Sequence, residues 1–178
     1  FSDAVVEADD FKGLKEVTVA TSKLGNLGNL TVNDAGAVTV TAGEGMKGNL
    51  IVNDVTTGVV NAGAAKTVVV DAKAGTADDT VTVNAGAATT TMSVGAGASD
   101  AFDNATVIAG AATTDITVEA GKTAVVTAGA ATKNITTTSN AATIDASAAV
   151  KDAVILVNKG ADASTASVTL GNDATVTS

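Results

Sequence analysis

The stretch Val-Ile-Ala-Gly-Ala-Ala-Thr-Thr-Asp-Ile-Thr-Val, residues 107–118, contains the unit from which the rest of the chain can be read. A β-branched run meets a corner of small residues, and a second run follows in which apolar side chains flank a Thr. The tetrapeptide Ala-Gly-Ala-Ala recurs at 62–65, 85–88, 109–112 and 128–131, each time between runs of this kind. Self-similarity of this sort is the signature of an architecture built by stacking one small unit on the next.

Apolar–Thr–apolar triplets place two side chains on one face of an extended chain and the Thr on the other, the period-2 pattern of a half-buried strand. They occur at 17–19, 30–32, 38–40, 81–83 and 116–118, with close relatives at 68–70, 92–94 and 155–157. In the second half, strand starts fall near Val107, Ile116, Val125, Ile135, Ile144 and Val154, in steps of nine or ten. Gly110 and Gly129 stand 19 residues apart, so two strands and two corners make one coil. Corners at Gly110, Gly121, Gly129 and Asn140 suit residues that tolerate positive φ. Strands this short gain stability only by stacking, coil on coil, around a continuous thin core. The spacing therefore predicts an all-β fold, a parallel β-solenoid of short Val/Thr/Ile strands with Gly/Ala/Asn corners over residues 17–178. Residues 1–16 form a linking or edge segment. Two-sided and three-sided coils both fit, and an antiparallel sandwich is the alternative architecture.

Composition agrees with a thin core. The 178 residues include no Cys, His, Trp, Tyr, Pro or Arg, and only three aromatics, Phe1, Phe11 and Phe102. With 46 % apolar residues the chain is too hydrophobic for a disordered segment. Yet it lacks the large side chains that fill a compact globule. No apolar run reaches the 18 residues of a candidate membrane span. The chain starts at Phe1 with nothing resembling a signal peptide, and reads as an internal fragment or processed product.

Fifteen Asp and four Glu against ten Lys give a net charge of −9. Nucleic-acid binding, which needs a basic patch, is unsupported. Without His, Cys or Tyr, acid–base chemistry would fall to Asp, Glu or Lys. The adjacent pairs Asp9/Asp10 and Asp78/Asp79 point to opposite faces if extended, so no enzyme activity is expected.

An acidic balance dominated by Asp suits Ca²⁺. Residues 74–82, Ala-Gly-Thr-Ala-Asp-Asp-Thr-Val-Thr, can be laid on the nonapeptide calcium repeat G-G-x-G-x-D-x-U-x, with Asp79 acidic and Val81 apolar. Residues 95–103 match more loosely, with Asp100 acidic and Phe102 apolar. Asp79 and Asp100 are thus candidate calcium ligands, and Asp78 and Asp103 lesser ones; Asp as a polar turn residue is the competing reading. Thr ladders on a flat solenoid face would also suit ice, but along the sequence Thr-x-Thr does not recur in a fixed register.

The Val/Thr/Ala/Gly/Asp vocabulary, the step Asp79-Thr80-Val81-Thr82-Val83 and the Ala-Gly-Ala-Ala corners resemble the repetitive segments of Gram-negative surface-layer (S-layer) proteins, which are related to the RTX calcium-repeat family of secreted proteins. The resemblance covers roughly residues 17–176 and departs from the calcium family in having no tandem intact nonapeptides. It implies export by a type I system and an extracellular, cell-surface location. It also implies Ca²⁺-dependent self-association into a lattice, with surface polysaccharide bound through another domain. Large repetitive bacterial adhesins share the vocabulary, so a stalk or binding module is the alternative.

Overall fold

In the computed structural model, the structure describes residues 2–7, 16–19, 27–74, 78–95, 101–159, 165–171 and 175–177. Among them there is no helix. The chain runs as a parallel β-solenoid, as its periodicity predicts. The first of two ladders stacks β1 (Ser2–Glu7), β3 (Leu27–Asn33), the first half of β5 (Asn49–Asn61), β6 (Thr67–Ala72), β8 (Thr91–Val94), the first half of β10 (Asp115–Thr127), β11 (Asn134–Ser139), β13 (Val154–Lys159) and β15 (Thr175–Thr177). The second stacks β2 (Glu16–Val19), β4 (Gly36–Ala42), the second half of β5, β7 (Thr80–Asn84), β9 (Phe102–Ile108), the second half of β10, β12 (Ala141–Ala146) and β14 (Thr165–Leu170). Each coil gives one strand to each ladder, and every described pairing is parallel. Ser2–Glu7 is thereby a strand of the first ladder.

Alternation decides which side chains enter. In the first ladder Leu30, Leu50, Val68, Met92, Ile116, Ile135 and Ile155 lie over one another, each almost fully buried. Facing them from the second ladder are Val40, Val60, Val83, Val107, Val126 and Ile144. Burying each such side chain contributes about 1.5–3 kcal/mol, so repetition of a modest contact stabilises the stack. Phe102, also buried, is the one aromatic of this core among the described residues.

The coil is less regular than the 19-residue spacing suggests. From Leu30 to Ile155 the first-ladder partners step by 20, 18, 24, 24, 19 and 20 residues. The extra residues of the two 24-residue steps fall at the bend where the chain passes from the first ladder to the second, whereas the steps of 18, 19 and 20 differ mainly at the return. The bend is absent within β5 and β10, is Asn140 alone between β11 and β12, and spans seven residues at 73–79 and 95–101. Where the return from second ladder to first carries Ala-Gly-Ala-Ala, it has six residues at 85–90, 109–114 and 128–133 and five at 62–66; at 147–153, without the tetrapeptide, it has seven.

Glycine at these returns serves close approach more than unusual φ. A Cβ on Gly86 would lie 1.4 Å from the carbonyl oxygen of Gly63, and one on Gly110 2.2 Å from that of Gly86. Gly129 meets Gly110 in the same way, at 2.0 Å. Only Gly63, in the shorter return, has positive φ among these four. The expectation that corner glycines serve the left-handed region is corrected accordingly: they form a column in which each backbone rests on the next. Gly121 lies inside β10, not at a corner.

Candidate functional site

Four Asp residues were singled out by the calcium pattern, and the structure separates them. Asp78 sits at φ 63 at the bend before β7, its side chain 86 % exposed. Asp79 turns the other way and is buried, so the adjacent carboxylates diverge. Asp103, in β9 one coil on, accepts a hydrogen bond from the Asp78 backbone N–H. Asp100 lies outside the described residues.

What joins Asp78 and Asp103 is Lys122, from the middle of β10. Its ammonium Nζ donates to Asp78 Oδ1 at 2.9 Å and to Asp103 Oδ2 at 3.0 Å. The Lys122 hydrogen bond, assisted by the Asp78 N–H, holds the Asp103 carboxyl below the usual carboxylate range. The same two carboxylates, Asp78 first, raise the Lys122 pKa. Sequence pattern gave no sign of this lysine, since it comes from a different coil from either partner. Calcium takes six to eight oxygens. Among the described residues no group of three or more carboxylates is placed to hold a metal ion, and an ammonium already fills the space between these two. The described residues do not fit a calcium cage within one chain.

The abundance of Asp has a backbone explanation. Every non-glycine residue with positive φ among those described is an Asp: Asp34, Asp54, Asp78 and Asp152. A short polar side chain tolerates the left-handed region better than most. Near the end of β6, Asp71 has one carboxylate oxygen, Oδ1, buried without a hydrogen-bond partner. Burial, and then the neighbouring Asp54 carboxylate, push its pKa up.

Threonine does two different jobs. Thr89, Thr113 and Thr132, the residues that follow Ala-Gly-Ala-Ala, are fully buried. Each hydroxyl donates to a carbonyl of the coil before it, Ala65, Thr89 and Thr113 in turn, at 2.8, 2.9 and 3.0 Å. Each also accepts from the glycine N–H of its own return, at 3.2, 3.1 and 3.0 Å. The sequence signal was present as Ala-Gly-Ala-Ala-Thr, but the fifth residue reads as the start of a strand unless the return is known to stack.

Outward threonines form the second set. The connections between ladders take up the differences in coil length, so Thr39, Val59, Thr82, Thr106, Val125 and Thr143 fall into one row along the second ladder. Register exists in space where the sequence spacing shows none. Phe102, the only mid-chain aromatic that could have served a glycan, is buried instead. No protein-family model, curated protein or solved structure matches this chain.

Proposed function

We propose that this chain is a structural module of a cell surface, exported and self-associating into an extracellular layer. The observation that carries the reading is the state of the two ends. Among the described residues, β1 and β2 at one end and β14 and β15 at the other each pair with a single neighbour. Val5 at the first end, and Leu170 and Val176 at the second, are exposed apolar side chains. Unpaired parallel edges are templates for further strands. A second copy, or a flanking module, would continue both ladders and cover these residues. The buried threonine column supports a load-bearing role, because it ties successive coils together through side chains as well as backbone.

Calcium enters this reading at contacts between copies, where carboxylates of two chains would be pooled, since the described part of one chain offers an ammonium in place of a cage. The alternative is the stalk of a large adhesin, favoured by β1 and β15 lying at opposite ends of one ladder, as a spacer between flanking domains requires.

Light scattering and electron microscopy of the purified chain, with millimolar Ca²⁺ and with chelator, separate the two. Growth into sheets, promoted by Ca²⁺, is expected of a layer protein. A chain that stays monomeric at every concentration in both conditions sinks the layer reading and leaves the stalk.

A further inference from the structure

The geometry points to a second function: the outer face of the second ladder is an ice-binding surface, with the ordered lattice of frozen water as its ligand. The central row of this face, from Thr39 to Thr143, consists of Thr and Val alone. Two residues earlier on each strand a flanking row contains Thr57, Thr80, Asn104 and Thr123 in direct register. Two residues later another contains Thr41, Asn61, Asn84, Ile108 and Thr127. Coil by coil, these three rows from β4 to β12 present short hydroxyl-, amide- and methyl-bearing groups; Asp145 is the only charge within them, and the Asp78–Lys122–Asp103 cluster lies at the bend-side edge of the face.

Three physical features suit this array to ice. Neighbouring coils repeat at about 4.8 Å, and positions i and i+2 on one strand at about 6.7 Å. These two repeats lie close to the oxygen spacings in two directions on a prism face of hexagonal ice. Thr and Val have β-branched side chains held in few rotamers, so the array is set before it meets the lattice and little ordering entropy is lost on binding. The near absence of charge matters as well. An ionic side chain holds its own hydration shell, which the ice lattice cannot accommodate.

The first ladder serves as an internal control. Its outward positions include Glu7, Asp71, Asp115 and Glu119, and the large residues Ile51 and Leu156 break its middle row. A protein partner fits the second-ladder face poorly. Recognition cores concentrate aromatics and Arg, whereas this chain has no Arg and this face only Val59 and Ile108 as exposed large apolar residues. The inference does not depend on the layer reading.

Thermal hysteresis and ice-crystal shaping by the whole chain test it, alongside the variants Thr82→Lys and Thr106→Lys on the second ladder and Thr117→Lys and Thr136→Lys on the first. Circular dichroism confirms that each variant is folded, and sedimentation reports its association state. The expected result is faceted ice and a freezing point held below the melting point. Both effects should be lost in the second-ladder variants and kept in the first-ladder pair. A folded wild-type chain without ice activity overturns the inference, as does equal loss in all four variants. A dimer that Thr82→Lys dissociates would also overturn it, by assigning the face to a second copy.

Discussion

The two connections of each coil obey different rules. The four returns that carry Ala-Gly-Ala-Ala are five or six residues long, while the bends of the same coils range from nothing to seven residues with little repetition. The difference follows from what each must do. At the return, backbones stack so closely that the Gly110 position has no room for a Cβ beneath the carbonyl of Gly86, and the buried Thr hydroxyls must reach the coil before. At the bend, a longer segment can leave the stack without disturbing either ladder, because loop length carries only a weak entropic cost. A recurring sequence therefore marks where coils touch most tightly, and irregular length marks where they do not.

Paired glycine substitutions test this contrast most severely. Gly86→Ala must displace the backbone at Gly63, and overpacking with no flexible neighbour to yield costs about 3 kcal/mol or more. Gly121→Ala, on the bend side, brings its Cβ no closer than 3.6 Å to Asp103 and 3.8 Å to Phe102. It should be neutral or stabilising by up to about 1 kcal/mol. Urea melts of the two variants give the comparison directly, and equal losses would break it.

Two threonine substitutions of identical chemistry should have opposite signs. Thr113→Val leaves the Thr89 carbonyl and the Gly110 N–H without their partner, at a cost of about 1–3 kcal/mol. Thr137, in β11, occupies an inward position that is Val in the neighbouring coils, at Val118 and Val157, and its buried hydroxyl has no hydrogen-bond partner. Thr137→Val should therefore stabilise by about 1 kcal/mol. Thermal melts that move both variants in the same direction would refute the distinction between column and core.

The smallest effect belongs to the end of β6, where the strand enters the bend, and depends on pH. Asp71 has its pKa raised in the folded chain, by burial first and Asp54 second. The favourable contribution of the protonated form is complete below the unfolded value and is lost as pH rises through the raised folded value. Above that value the charged, buried carboxylate costs stability. Asp71→Asn should match the wild type in acid and exceed it in midpoint at neutral pH. A gap that is constant across pH would show that packing, not charge, is responsible.

Much of the fold could be read from local pattern. Val81-Thr82-Val83 and Ile116-Thr117-Val118 declare strands because alternation is a property of the extended backbone itself. Ala-Gly-Ala-Ala declares a tight place because only small residues fit one. Site chemistry was far less legible. Asp78 and Asp103 look like ligands along the chain, yet their partner is Lys122, which the stacking of β9 on β10 brings to them. Asp34 and Asp54, which count only toward the acidic balance along the chain, take up the left-handed backbone conformation.

By itself the sequence determined that this chain makes short, one-sided strands with small-residue turns, a thin Val/Ile/Ala core and an acidic exterior. Only the tertiary structure decided the register. Coil steps of 18 to 24 residues cannot be phased by counting, because the connections between ladders vary in length along the stack. Register in turn decides whether a Thr is a buried staple such as Thr113, a stranded hydroxyl such as Thr137, or one position of an ordered outer row such as Thr82. The residue is the same in all three places. Its role is set by which carbonyl, side chain or solvent the next coil places against it.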